Sequence, residues 1–342
     1  MPKPDPKWFR IYPIECIRGA QKYLPDDSVD LFITDPPFGI EGDQLYRHYH
    51  RSEKYVLDGY VEIARADYAQ FSLNWIKQAE RVLRPGGSLY ILSGYSNLAD
   101  ILNALSTTRL KLINHIIWKY NFGVYTTRKY VSSHYHILYY IKPGGKVTFN
   151  TYIRYGPKDR DKRGHSLNYA DREDVWLINR EYKPGEIKNR NELPTGLLLK
   201  IIQYSSKEGD LIADFFLGGF STARMALGLK RRIAGFEINN QSFNHHLKEL
   251  QLLQPGYLLS QIKENKELFV PKKKPWTPEE ASRLYSRFYE LYQQLKIKKA
   301  VITHLQEEFG RGYFSILNQI EKLKDKQASL ITSAHHSRNQ KK

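Results

Sequence analysis

The chain has 342 residues, enough to bury one substantial core and carry a small appended domain. Its 53 Lys and Arg against 36 Asp and Glu leave a net charge of +17, which points to a polyanionic partner, nucleic acid first. No run nears the roughly 18 apolar residues of a membrane helix, Met1 to Pro6 has no signal-peptide apolar core, and the single Cys16 excludes an intrachain disulfide or a Cys-rich zinc site, so a soluble cytoplasmic protein is expected.

In chain order, the first clear element is Val29–Thr34, a short β-rich apolar run that stops at Asp35-Pro36-Pro37, where two prolines cannot donate to a sheet ladder. Tyr68 to Leu83 has helical apolar spacing and ends at the turn Arg84-Pro85-Gly86-Gly87, before a second strand, Ser88 to Leu92. Leu112 to Trp118 and Tyr135 to Ile141 read as strands, the latter closed by Lys142-Pro143-Gly144-Gly145. Residues 150–190 are polar, mixed in charge and without clear periodicity, which suits a surface recognition region. Leu197 to Ser205 reads as a helix, Leu211 to Asp214 as a strand, then come a Gly-rich turn, a helix from about Ser221 and a strand at Ile233 to Glu237, a βαβ unit.

This alternation predicts an α/β fold with a mostly parallel sheet over residues 1–270. A stiff basic linker, 271–278, then leads to a helical region, 279–330, and a disordered tail, 331–342. Within the helical region, Lys298 to Gly310 followed by a short turn and Ser315 to Ile320 has the form of a helix-turn-helix, although Leu305, Phe309, Ile316 and Ile320 equally suit a packed helix pair.

The segment Thr34-Asp35-Pro36-Pro37-Phe38-Gly39 sits where a strand of an open α/β sheet ends, the place where such sheets bind ligands. It resembles the catalytic motif of the amino-methyltransferases of DNA, Asp/Asn/Ser-Pro-Pro-Tyr/Phe. The likeness is greatest to the subgroup in which this motif precedes the cofactor motif, for which Gly209 to Thr222 and Gly235-Phe236-Glu237-Ile238-Asn239 provide the second half. The resemblance runs over roughly residues 10–245 and takes in Glu15-Cys16, Arg81 to Gly87 and Ile117-Trp118-Lys119.

It implies a Rossmann-like S-adenosylmethionine-dependent methyltransferase acting on double-stranded DNA, with a homodimer as one form. The target would be adenine N6, because Asp35 precedes Pro-Pro where cytosine-N4 members more often have Ser. The alternatives are a cytosine-N4 methyltransferase and an inactive, methyltransferase-like DNA-binding regulator. Asp35, Pro36, Pro37 and Phe38 would be catalytic: the Asp35 carboxylate and Pro36 carbonyl accept the amino hydrogens, Pro37 stiffens the loop and Phe38 stacks on a flipped base. Glu15, Cys16, Asp35, Asn191, Asp214, Phe216, Gly218, Ser221, Thr222 and Glu237 would surround the cofactor, with Glu237 receiving its ribose hydroxyls.

Three departures stand out. Asn189-Arg190-Asn191-Glu192-Leu193-Pro194 occupies the place of a common His-Pro-Thr-Gln-Lys-Pro; Asp214-Phe215-Phe216 replaces Asp-Pro-Phe; and Phe220, in place of a frequent glycine, is expected to reshape the pocket. Cys16 follows Glu15 instead of proline and is expected to be a packed or cofactor-adjacent thiol, not a nucleophile. DNA contacts are expected from Arg47, His50, Arg51 and Lys54 in the loop after the catalytic motif and from Arg154, Arg160 and Arg163. His245-His246 and His335-His336 lack the spacing and acidic partners of a metal site, so no metal is expected.

Overall fold

Short buried strands alternating with amphipathic helices build one eight-stranded sheet in the larger part of the chain. The computed structural model describes residues 8–37, 63–121, 123, 125, 127–181, 192–262 and 275–324. Two compact units divide the chain, Met1–Phe269 and Val270–Lys342. The first contains β1 (Phe9–Tyr12), α1 (Cys16–Tyr23), β2 (Val29–Thr34), α2 (Tyr68–Val82), β3 (Leu83–Ser93), α3 (Leu98–Ser106), β4 (Lys111–Lys119) and β5 (His134–Ile141). It continues with α4 (Leu167–Asp171), β6 (Val175–Leu177), α5 (Thr195–Ser205), β7 (Leu211–Asp214), α6 (Ser221–Gly228), β8 (Arg232–Phe236) and α7 (Asn240–Gln251).

The strand order is β1-β8-β7-β2-β3-β5-β4-β6. Every neighbouring pair is parallel except those made by β5, which runs antiparallel to both β3 and β4. Because helices cover both faces, the middle residues of the central strands are apolar on both sides of the sheet. Leu31 and Ile33 of β2 join Ile212 and Ile233 in one core, while Phe32 joins Leu89, Ala213 and Ala234 in the other. Helix α2 lies on the second core through Tyr68, Trp75, Ile76, Ala79 and Val82, a spacing that keeps them on one stripe.

Two local expectations are corrected. The Arg84-Pro85-Gly86-Gly87 turn does not separate helix from strand: β3 begins at Leu83, and its register with β2 jumps from Val29↔Leu83 to Leu31↔Ser88, so Arg84 to Gly87 loop out of the ladder as a bulge. The 150–190 segment is not all surface, since it holds α4 and β6, and Trp176 of β6 is buried. A three-residue edge strand is too short to leave a periodic signal.

The chain leaves β2 towards β3 on one side and β7 towards β8 on the other, although β2 and β7 are themselves paired. Their carboxyl ends therefore open a crevice at a topological switch point. Gly235 of β8 keeps this region tight, because a Cβ there would lie 2.4 Å from the Asp214 carbonyl oxygen and 2.9 Å from the Leu217 side chain.

The second unit contains α8 (Pro278–Leu295), α9 (Lys298–Phe309) and a further helix, α10, over 313–324. Thr277 caps α8 by accepting the Glu280 N–H, and Pro278 takes the first turn, where a missing N–H costs nothing. Leu284, Phe288, Val301, Ile302, Leu305, Ile316 and Ile320 form its core, with Phe309 packed against it. No described helix of the chain is long and apolar enough to cross a membrane.

Gly235→Ala is expected to destabilise the larger unit by about 1–3 kcal/mol, since the added methyl meets backbone that cannot retreat cheaply. Urea unfolding of the variant against the parent measures this, and an unchanged midpoint would show that β7 and β8 are not in such close contact.

Candidate active site

Asp35 follows the last residue of β2, and Asp214 ends the neighbouring β7, so pairing the two strands brings two carboxylates together at the crevice. The Thr34 hydroxyl donates to Asp214 Oδ1 at 3.1 Å, and the Phe216 N–H donates to the same oxygen at 3.0 Å. The Thr222 hydroxyl also bonds the Asp214 carboxyl. Burial pushes Asp214 up to about 6, against the pull of these three donors. Asp35 is pushed higher, to about 7, first by burial and then by the Asp214 charge, with Arg180 pulling the other way. Its Oδ1 is buried without a hydrogen-bond partner among the described residues.

A recess opens in front of Asp35, lined also by Leu92 of β3, Trp118 of β4, Tyr135 of β5, Arg180, and Glu192 and Leu193 ahead of α5. The reversed direction of β5 explains this convergence. Its first residues lie beside the last residues of β4, so Tyr135 stands directly opposite Trp118, their rings stacked with centroids 5.7 Å apart. Tyr120 closes the group, 5.5 Å from Trp118 and 5.7 Å from Tyr135. The Trp118 indole N–H donates to the Ile178 carbonyl at 2.8 Å, tying β4 to the segment that carries Arg180.

On the other side of Asp214 the chain turns into α6. Gly218 has a φ of +48°, and Phe220 sits in the left-handed region at φ +59°, a costly conformation for a bulky residue. Phe220 is fully buried, edge-on to Phe243 at 5.8 Å and 5.7 Å from His246. The expectation that it reshapes the pocket is thereby corrected: its ring fills the core beneath the loop, and the packing there offsets the strained backbone.

Glu237, next after β8, accepts the Gly218 N–H on Oε2 at 2.8 Å and the Asn239 N–H on Oε1 at 2.7 Å. Partial burial raises its pKa, and the two backbone donors oppose that rise. Each oxygen retains a lone pair for a further donor. Beside it, Ile238 is half exposed, and Phe216 contacts Trp75 and Phe71 with its ring only partly covered. Acceptors for a diol, apolar faces for a purine and carboxylates near a cation form a donor set that fits S-adenosylmethionine.

The comparisons with known proteins agree with this geometry. A family model described as DNA methylase, covering N6 and N4 methyltransferases, matches residues 29–248. The chain belongs to this DNA methylase family. The type II methyltransferase M.BamHI of Bacillus amyloliquefaciens is 28% identical over 283 residues, 77% of this chain but 62% of M.BamHI, so the chain spans less than two thirds of that relative. The DNA adenine methyltransferase YhdJ of Escherichia coli (strain K12) is 29% identical over 250 residues, 68% of this chain and 79% of YhdJ. Among solved structures, the cytosine-N4-specific PvuII DNA methyltransferase superposes with a TM-score of 0.52 at 15% identity, covering 74% of this chain and 89% of that one, a likeness of fold.

S-adenosylmethionine is the cofactor of this methylase. The residues expected around it fall unevenly. Asp214, Phe216, Gly218, Ser221, Thr222 and Glu237 gather at the ends of β7 and β8. Glu15 caps α1, its oxygens accepting the Ile17 and Arg18 N–H groups at 2.8 and 3.0 Å. Cys16 is buried in the core, its thiol donates to Glu15 and burial holds its pKa far above the ordinary value, which suits a packed thiol. Pro36 is buried and Pro37 half-buried beside Asp35. Phe38, Asn191, Arg47, His50, Arg51 and Lys54 lie outside the described residues, as do His335 and His336.

Of the expected DNA contacts, Arg154 is turned inward, donating to Asp171 Oδ2 at 2.9 Å and Gln203 Oε1 at 2.8 Å, a structural position and not that of a phosphate contact. Arg160 and Arg163 are exposed. His245-His246 does have an acidic partner, contrary to expectation: Glu249 lies 3.4 Å from His245 Nε2 and 3.1 Å from His246 Nδ1, because residues three and four apart share a helix face. Arg180, Tyr135 and Tyr120 carried no sequence signal of a role, and Trp118 and Ile238 carried one only as members of their motifs.

Asp35→Asn tests the buried carboxylate. A folded pKa near 7, above the ordinary 3.8, means that the native state binds more protons than the unfolded chain across pH 4–7. Wild-type stability therefore falls as pH rises through that window, a penalty the amide does not share. The stability difference should move in the variant's favour by about 1–4 kcal/mol between pH 4 and 7.5, read from thermal melts. A difference independent of pH would show that Asp35 is not held in a dry site.

Proposed function

We propose that this DNA methylase transfers a methyl group to the N6 nitrogen of an adenine flipped out of double-stranded DNA. The observation that carries this reading is Asp35 Oδ1, a buried acceptor with no partner among the described residues, beside an aromatic-walled recess at the sheet's switch point. An exocyclic amino nitrogen is a poor nucleophile because its lone pair is delocalised into the ring. An acceptor on its N–H favours localisation of that pair as charge develops, and it is most effective where water is excluded. Trp118 and Tyr135 offer a stacking wall for a planar base, and Leu92 and Leu193 exclude solvent.

When bound, S-adenosylmethionine supplies an electrophilic methyl group on a sulfonium. Glu237 would hold its ribose hydroxyls, Phe216 and Ile238 would pack on its adenine, and Gly218, Ser221 and Thr222 would shape the loop around it. Asp35, ionised above about pH 7, accepts the hydrogen bond from the target amine and is placed to take up the proton that the nitrogen would release on methylation, while the sulfonium sulfur would keep the electron pair of its broken bond to the methyl group. Asp in front of Pro-Pro favours adenine over cytosine, as does the likeness to a relative named as an adenine methyltransferase.

The likeness to M.BamHI, named as a type II enzyme, supports a place in restriction-modification. The basic charge, the exposed Arg160 and Arg163, and Arg47, His50, Arg51 and Lys54 after the catalytic motif would hold the phosphates. The helical unit serves as an additional DNA-contacting element by this reading, since Phe314 stays exposed at the start of α10 while Ile316 and Ile320 hold the core.

Incubation with unmethylated genomic DNA and S-adenosylmethionine, followed by nucleoside mass spectrometry, should yield N6-methyladenine, and mapping the modified positions gives the recognition sequence. N4-methylcytosine would keep the mechanism and overturn the base; no methylated base would overturn both. Asp35→Ala should lower kcat by at least about 100-fold with DNA affinity little changed. Glu237→Ala should weaken S-adenosylmethionine binding by about 10-fold or more, measured by calorimetry, because it removes hydrogen bonds accepted by a charged group.

A further inference from the structure

Two buried polar atoms in the recess have no hydrogen-bond partner among the described residues, and they are opposite in kind. Asp35 Oδ1 accepts; Arg180 Nε–H donates. A buried donor or acceptor left unpaired is costly, so an acceptor and a donor beside one recess match a ligand that supplies a donor and an acceptor together.

The guanidinium is held where it is by aromatic faces. Its Cζ lies 4.9 Å from the Tyr120 centroid, 5.4 Å from Tyr135 and 5.7 Å from Trp118, and the group hydrogen-bonds the Tyr135 hydroxyl. These contacts restrain the arginine without using Nε, so little side-chain entropy is lost when Nε finds a partner.

We infer that Arg180 is a substrate-contacting residue whose Nε–H donates to the ring nitrogen beside the target amino group, while Asp35 accepts from the amine itself. The inference rests on the reading of this recess as the base site. Adenine presents N6–H next to N1, and cytosine presents N4–H next to N3, in each case a donor beside an acceptor. Guanine and thymine carry a ring N–H at the corresponding position, which would oppose the Arg180 donor. The pair therefore admits amino-bearing bases and rejects the other two by an unmatched buried donor. A hydrogen bond to the ring nitrogen draws electron density from the amine, so Arg180 contributes to holding and orienting the base, with Asp35 supplying the activation.

The test is a substitution cycle on duplexes carrying the mapped recognition sequence, with adenine or 1-deazaadenine, which has C–H in place of N1, at the methylated position. Wild type should lose about 10- to 100-fold in kcat/KM on the deaza base, the worth of one charge-assisted hydrogen bond. Arg180→Met, which keeps an apolar stem against the aromatic wall, should lose a similar factor on adenine and then treat the two bases alike. Arg180→Lys should recover part of the loss. A wild type indifferent to deaza substitution, or an Arg180→Met protein that still prefers adenine, overturns the inference. Should Arg180→Met fail to fold, the wild-type comparison decides alone. Methylation of cytosine in place of adenine would sink the base assignment only, and 3-deazacytosine then carries the same cycle for Arg180.

Discussion

The hydrogen bond from the Thr34 hydroxyl to Asp214 spans the seam where the sheet reverses its winding, and the character of the site depends on it. It fixes the end of β2 against the end of β7, which forces two carboxylates into one poorly solvated space. Two such groups cannot share it on equal terms. Asp214 collects the Thr34 hydroxyl at the end of β2, the Phe216 N–H just after β7 and the Thr222 hydroxyl in the first turn of α6, and so ties the turn after β7 to its surroundings. Asp35 receives no such donors at Oδ1 and feels the Asp214 charge. The asymmetry leaves one carboxylate satisfied and the other poised to accept a proton near neutrality, as a general base requires.

The parts of the site that were legible in the sequence are those written in contiguous residues. An apolar run ended by Asp-Pro-Pro announces both a buried strand and the carboxylate at its tip, and the Gly-rich turn between β7 and β8 announces a loop that approaches a ligand. The recess opposite Asp35 is not written that way. Trp118, Tyr135 and Arg180 come from β4, from β5 and from the segment after β6, and they meet because β5 runs backwards between β3 and β4. Nothing in the spacing of those residues encodes the reversal. Arg154 shows the complementary error: in a region rich in both signs of charge, composition cannot distinguish a cation that faces DNA from a half-buried one bonded to Asp171 and Gln203. Phe220 illustrates a third kind, in which substitution at a loop position suggested an altered pocket but the left-handed backbone turns the ring into the core.

The distribution of charge gives the fold a division of labour. The excess of Lys and Arg is spread along the chain, where it attracts the phosphate backbone without reading sequence. Inside the switch point the arrangement is reversed, with Asp35, Asp214 and Glu237 acidic and largely withdrawn from water. A DNA phosphate is repelled from such an interior, whereas a neutral base is not, which is consistent with the proposed approach of an extruded base to Asp35. The single cation in the described wall of the recess, Arg180, sits among aromatic rings that hold its charge beside Asp35, and its pull limits how far burial raises the carboxylate. A site made wholly of acids would keep Asp35 protonated and unable to accept from an amine. A site with a freely placed arginine would pair with Asp35 and close. The aromatic cage holds the arginine between these limits, which lets a dry pocket keep one carboxylate both ionisable and available.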